Sequence, residues 1–292
     1  MTMKGETMNR RNFAKTALLS GVAIGAASAL AAPAVAQEVT APAAGSNLDR
    51  ILSSKKLRVA GLVGEEPYFS KDIVSGEWGG FCIDMARSIA SELGVELEVV
   101  ESTWGNSVLD LQANKIDLSF GLNPTPKRAL VVDFSSPLFY NTFSIVAKKD
   151  FTVSSWEELN DPSVSIAVDL GSTHELIARR YAGKANITGF KTRDEAILAV
   201  AAGRADCFVC TIFLGLTSKQ KNPQLGNFIM PRPYVQSAVS AAMQYDSDRR
   251  FRDFVSTWCD FNRGNGQIRE WIVSNLAKVN IQPEDVPAEV QF

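Results

Sequence analysis

Apolar positions along the chain switch between two spacings. "LRVAGLV" (57–63) is a compact apolar run of strand length. "FCIDMARSIASELG" (81–94) instead places Cys82, Ala86, Ile89, Ala90 and Leu93 on one helical face before Gly94 stops it. "VELEVV" (95–100) returns to the two-residue alternation of a strand. The chain therefore opens as β-α-β, the unit of an α/β fold.

Two later segments use one pattern twice. In "LQANKIDLSFG" (111–121) a helix end is followed by Asn114 at a left-handed stop and by a strand opening on Asp117. In "VAAGRADCFVC" (200–210) Gly203 takes the stop and Asp206 the same offset. Two such units about ninety residues apart predict two α/β lobes rather than one continuous sheet. Ligands of α/β sheets lie beyond the carboxyl ends of strands, so the residues after each repeat are candidates for a site.

After the first repeat comes "LNPTPKR", with Thr125 as N-cap, Pro126 at the first helical position and Arg128 in the first turn. A cation there opposes the helix dipole, which makes it unusual. The stretch "GSTHE" (171–175) reads as a capping box: Ser172 accepts a first-turn N–H, and Glu175 reaches back to the N–H of Ser172. The positive end of that helix then faces whatever precedes it and suits an anion.

The N-terminus stands apart from this pattern. "NRRNFAKTALLSGVAIGAASALAAPAVAQ" (9–37) resembles a twin-arginine (Tat) export signal, with Arg10 and Arg11 as the pair and cleavage after Ala36. Its removal leaves 26 bases against 31 acids, a mildly acidic protein poorly suited to nucleic acid. No later apolar run is long enough to span a bilayer, so a soluble exported protein is expected. Residues 37–54 are expected as a flexible lead-in, "QEVTAPAAGSN" being small and polar, with the fold under way from residue 55. Four cysteines, Cys82, Cys207, Cys210 and Cys259, permit disulfides in an oxidising compartment. Cys207 and Cys210 lie in a strand-like run and point to opposite faces, so buried free thiols are the preferred reading. The single histidine, His174, argues against a histidine zinc site or a serine triad.

In their order, "LRVAG", "EEPYFS", "GEWGGFCIDMARSIASELGV", "LQANKIDLSFGLNPTPKRALVVDFSSPLFY", "SWEELNDPSVSIAVDLGSTHELI" and "AILAVAAGRADCFV" closely resemble the periplasmic solute-binding proteins of polar amino-acid ABC transporters. The resemblance implies a type II, two-lobed α/β fold hinged by two crossing strands. Lobe 1 would comprise residues 55–146 and 240–292, and lobe 2 residues 147–239. The first crossing would follow "FSIVAKK" (143–149), with return near "SAVSAAMQ" (237–244), and a stripe of Phe251, Phe254, Val255, Trp258 and Phe261 would be core.

The resemblance also implies a site. Arg128 would hold a ligand carboxylate in a bidentate pair, with Asn123 standing where relatives carry a small hydroxyl residue, and Ser172, Thr173 and helix N–H groups approaching from the other lobe. Glu66, Tyr68, Trp104, Gly121 and Thr211 would form the wall, Trp104 having packing within its own lobe as an alternative role. Thr211 departs from the family, which places there an aspartate for the ligand's α-ammonium; Glu66 or Glu65 would have to supply that charge, or the ligand has no ammonium. The expected partners are a small carboxylate, an amino acid or derivative first, and an ABC permease, with the chain a periplasmic monomer without cofactor or metal.

Two other functions fit the same fold. A binder of an organic or aromatic acid needs no ammonium partner. A periplasmic dehydratase needs a general acid in the cleft, for which Glu65, Glu66, Glu175 and His174 are the candidates. A receptor's sensing module is disfavoured because no kinase or membrane segment follows "WIVSNLAKV".

Overall fold

The computed structural model of the chain describes residues 45–287. The Tat reading of residues 1–36 lies outside them. Helix α1 (Asn47–Ser54) leads into β1 (Lys56–Leu62), the antiparallel pair β2 (Ser70–Lys71) and β3 (Trp78–Gly79), α2 (Phe81–Leu93) and β4 (Glu96–Ser102). Then come α3 (Ser107–Gln112), β5 (Leu118–Leu122), α4 (Pro126–Ala129), β6 (Val132–Phe134) and the long strand β7 (Phe139–Ala147). The next segment runs α5 (Trp156–Leu159), β8 (Ser165–Asp169), α6 (Thr173–Tyr181), β9 (Asn186–Phe190), α7 (Arg193–Ala201), β10 (Cys207–Thr211) and α8 (Ile212–Lys221). Short β11 (Phe228–Ile229) and a second long strand, β12 (Gln236–Gln244), precede α9 (Arg250–Gly264) and α10 (Gln267–Lys278).

The strands of both lobes are hydrogen-bonded into one continuous sheet, where separate ones were expected; its order β4-β1-β5-β12-β7-β10-β8-β9 has β7 and β12 at its centre. Outward from them, β5, β1 and β4 are parallel on one side, and β10, β8 and β9 on the other. The two central strands pair with each other only through Phe139–Thr142 and Gln236–Val239. Beyond that window they part: Phe143 to Ala147 pair with β10, while Ser240 to Met243 pair with β5. Two strands that each change partner midway join two half-sheets through one short ladder. The partner change on β7 falls at Thr142/Phe143, so pairing places residues 143–146 with the second half and not, as expected, with the first.

Each half has apolar faces set by strand alternation. Phe143, Ile145 and Ala147 pack with Cys207 and Val209 in one cluster, while Val146, Phe208 and Cys210 face the other. Cys207 and Cys210 therefore sit on opposite sides of β10, and all four cysteines are free and buried. In α9, Phe251, Val255 and Trp258 are core, but Phe261 is 69% exposed and falls off the stripe. Residues 47–54 are not lead-in. They form a helix capped by Ser46, with Ile51 fully buried and Arg50 bonded to Asp117 at 2.7 Å.

The repeated aspartates explain how each half is started. Asp117 N–H donates to the Arg58 carbonyl while its carboxylate accepts Arg58 N–H at 2.8 Å, locking β5 beside β1. Asp206 does the same to Ser165, its N–H donating to the carbonyl and its carboxylate accepting the N–H at 2.7 Å, locking β10 beside β8. Asp117 also carries Arg50 and Arg58, whereas Asp206 carries the more exposed Lys148.

Asp117→Ala leaves two guanidinium groups and a strand N–H without their buried acceptor, so it should lower unfolding free energy by about 3 kcal/mol. Asp206→Ala, whose cation reaches water, should lose only about 1–2 kcal/mol. Urea unfolding of the two variants checks the order; equal losses would contradict it.

Candidate functional site

Where the half-sheets meet, the ends of β5 and β10 open on a cavity. From the first half, Tyr68, Trp104, Gly121, Asn123 and Arg128 line it; from the second, Ser172, Thr173, His174, Thr211 and Leu214; Asn141 and Val239 enter from the crossing strands. Of the residues expected at the site, eight therefore converge here. Glu66 does not. Its carboxylate pairs with Lys221 of α8 at 2.9 Å, beside a separate hollow.

Arg128 stands in the first turn of α4, whose N-cap Thr125 accepts the Arg128 N–H at 3.2 Å. Its guanidinium spans the two halves: Nη1 donates to the Asn123 carbonyl at 3.0 Å and Nη2 to the Gly171 carbonyl at 3.2 Å. Among the described residues it forms no ion pair, and burial holds its pKa below the ordinary arginine value. A partly desolvated cation that bonds only carbonyl oxygens retains N–H groups for an anion.

Opposite it, α6 begins at the cavity. Ser172 accepts the Glu175 N–H at 3.3 Å, but the Glu175 carboxylate reaches Gly171 N–H at 2.9 Å and not, as expected, that of Ser172. The box is displaced by one residue because Gly171, at φ +73°, turns its own N–H back toward the helix. Glu175 also holds Arg179 at 2.9 Å and does not line the cavity. A helix leaves its first N–H groups without intrahelical partners, so those of Thr173 and His174 are the donors this half offers an anion.

The side-chain hydroxyl and amide hydrogens of Asn123, Ser172 and Thr173 are already committed. Thr173 Oγ1 donates to Asn123 Oδ1 at 2.6 Å, and Asn123 Nδ2 donates to Ser237 Oγ at 3.1 Å and the Ala238 carbonyl at 2.8 Å. Ser172 Oγ donates to the Asp169 carbonyl at 2.7 Å. Asn123 and Thr173 thus join the halves and Ser172 shapes the wall of its own half, while Arg128 and the helix N–H groups offer donors to an anion. Gly121 has φ +82°, and a Cβ there would lie 3.0 Å from Trp104 and 3.3 Å from Tyr68, so glycine lets both aromatic walls close over β5.

Behind Trp104 lies a buried ionic cluster that sequence reasoning missed. Arg193 at the start of α7 donates from Nε to Glu65 at 3.0 Å, and its Nη2 forms a short contact with Asp169, so it binds a carboxylate from each half. Burial and the neighbouring Asp169 push Glu65 up to about 7, although Arg193 pulls the other way. Burial would raise Asp169 too, but Arg193 and His174 outweigh it and hold Asp169 below its ordinary value. His174 is held below its ordinary value, first by burial, and so is neutral; its Nδ1 faces Asp169 at 3.3 Å. The signal available in sequence was only that Glu65, Asp169 and Arg193 are charged residues next to apolar runs.

Described residues contain no group of side chains arranged to hold a metal ion. No helix among them is long and apolar enough to cross a membrane.

The two-lobed sheet, its paired crossing strands and the arginine cavity between the lobes are those of a solute-binding module, and comparison with known proteins assigns the family. The chain belongs to the bacterial extracellular solute-binding proteins, family 3, whose model matches residues 57–283. It is 27% identical over 245 residues to a cyclohexadienyl dehydratase of Pseudomonas aeruginosa, covering 83% of this chain and 90% of that protein. It is 28% identical over 176 residues to the arginine-binding extracellular protein ArtP of Bacillus subtilis, covering 58% and 67%. A solved ancestral amino acid-binding protein, a precursor of cyclohexadienyl dehydratase, superimposes with a TM-score of 0.70 at 31% identity over 78% of this chain and 97% of that one. The fold is the type II periplasmic binding protein fold.

Glu65 yields a pH prediction. An acid whose folded pKa is raised from 4.5 to about 7 stabilises the folded state below 4.5, and that contribution is lost as pH rises to about 7. His174 acts in the opposite sense, its lowered pKa costing stability as pH falls below its ordinary 6.5. The difference between wild type and Glu65→Gln isolates the first effect: the melting temperature of wild type should fall relative to the variant as pH rises from 4.5 to about 7. Parallel curves would contradict the assignment.

Proposed function

We propose that the protein captures a small carboxylate of amino-acid size between its two lobes and delivers it to an ABC permease, the lobes hinging on β7 and β12. It reaches the periplasm by the Tat route, as the pair Arg10 and Arg11 suggests. The observation that carries the reading is Arg128: a partly buried guanidinium with no carboxylate partner among the described residues, bonded to carbonyls of both halves and facing the N-terminus of α6. An anion seated there draws on donors from each lobe, and so favours the state in which the lobes touch. Relatives named for binding arginine and L-cystine support the ligand's size and class.

The dehydratase relative favours a second reading, an enzyme acting on a carboxylic acid. Against it, no aspartate or glutamate lines the cavity: Glu65 is held by Arg193, Glu66 by Lys221 and Glu175 by Arg179. His174 does line it but is neutral and turned by one nitrogen to Asp169. A general acid poised to donate near neutrality has no candidate there. Native mass spectrometry of freshly purified protein reads the retained acid, and incubation then separates the two readings. A binder returns the mass unchanged; loss of one water would establish the dehydratase.

With the retained acid as titrant, Arg128→Ala should lose on the order of 2–5 kcal/mol of binding, about 30-fold or more in affinity. Its melting temperature without ligand should stay near that of wild type. Calorimetry giving the variant wild-type affinity would overturn the carboxylate reading.

A further inference from the structure

Away from Arg128, three residues of the cavity lining carry a buried polar atom without a partner among the described residues: Trp104 with its Nε1 donor, and Asn141 and Thr211 with one oxygen each. Asn141 Oδ1 and Thr211 Oγ1 are both buried without a hydrogen-bond partner among the described residues, and both residues line the cavity. Asn141 is 0% exposed and Thr211 4%. Asn141 comes from the crossing strand β7, its Nδ2 in short contact with Tyr68 Oη, which orients Oδ1 as the remaining acceptor. Thr211 ends β10 and is the N-cap of α8, yet its side chain makes no cap bond. A threonine at an N-cap ordinarily spends its oxygen on a first-turn N–H. Here it stays free. Unpaired buried polar atoms cost free energy unless something binds them, and two of them on one cavity wall mark a ligand group.

The chemistry of that group follows from what the pair can do. Asn141 Oδ1 only accepts, whereas Thr211 Oγ1 both donates and accepts. A hydroxyl on the ligand satisfies both, donating to Asn141 and accepting from Thr211. A keto oxygen only accepts and leaves Asn141 unpaired. An ammonium only donates, and it would enter a cavity with no carboxylate in its lining and with Arg128 as its resident charge. Neutral oxygens do not offset burial of a second cation there. The rings of Tyr68 and Trp104, with Leu214 and Val239, leave apolar wall for the rest of the ligand.

We infer that the ligand is a hydroxy acid with an apolar side chain, its carboxylate on Arg128 and its hydroxyl between Asn141 and Thr211. This rests on the carboxylate reading of the cavity, and adds to it the identity of the second polar group.

The test is a calorimetric panel on ligand-stripped protein. Three skeletons, those of lactate, 2-hydroxyisocaproate and phenyllactate, are each offered as the 2-hydroxy, 2-amino, 2-oxo and unsubstituted acid. The 2-hydroxy form of at least one skeleton should bind about tenfold tighter than its other three forms. Thr211→Val should weaken that hydroxy acid about five- to tenfold and leave the unsubstituted acid unchanged, a pattern that a merely structural role does not produce. Thr211→Asp should reverse the order and favour the amino acid. If an amino or oxo acid binds wild type as tightly as its hydroxy counterpart, the hydroxyl assignment falls while the carboxylate reading stands. Binding by no acid of any form overturns the carboxylate reading, and this inference with it.

Discussion

Arg128 holds a full positive charge at the seam between two half-sheets and bonds only carbonyl oxygens, one from each half. Those two contacts are weak relative to what a guanidinium makes with an anion, which can take two parallel N–H donors at once. The groups that bring the lobes together therefore include a cation with no anionic partner among the described residues. The α6 N-terminus lies across the cavity, whose wall also carries the two unpaired oxygens of Asn141 and Thr211. A small anion that meets all three ties the lobes together through itself.

The architecture around that seam keeps the halves separately rigid. Asp117 and Asp206 each lock a strand to its parallel neighbour by paired backbone and side-chain bonds. Between the halves, β7 and β12 share only a four-residue ladder before each joins a different half-sheet. Other contacts across the seam are of two kinds: polar ones, Thr173 to Asn123, Arg193 to Glu65 and Lys221 to Glu66, and aromatic ones, Phe213 of α8 packing on Tyr68 and Phe81. Stiff halves joined by a narrow hinge are the physical ingredients of a protein that opens and closes on a ligand.

Much of this could be read from residue order because it depends on local chemistry. Thr125-Pro126 signals a helix start that puts Arg128 in its first turn, the stops at Asn114 and Gly203 have left-handed φ, and Cys207 and Cys210 alternate faces as a strand requires. What could not be read depends on pairs far apart in sequence. Glu66 meets Lys221 across 155 positions, which removes it from the cavity. Arg193 collects Glu65 and Asp169 from opposite halves. Asn141 sits in an apolar strand and gave no signal of its own; only the meeting of β7 with Tyr68 and Thr211 turns it into a site residue. Helix α1 joins the fold because Arg50 reaches Asp117, 67 residues away.

The central claim is that one anion, held by Arg128 on one lobe and by α6 on the other, sets the closed state. Small-angle X-ray scattering of ligand-stripped protein, before and after adding back the acid it retains on purification, measures this directly. The account predicts a radius of gyration that is larger in the stripped protein, contracts on loading, and fails to contract in Arg128→Ala at the same acid concentration. The same radius in stripped and loaded wild type, or full contraction of the variant, would contradict it.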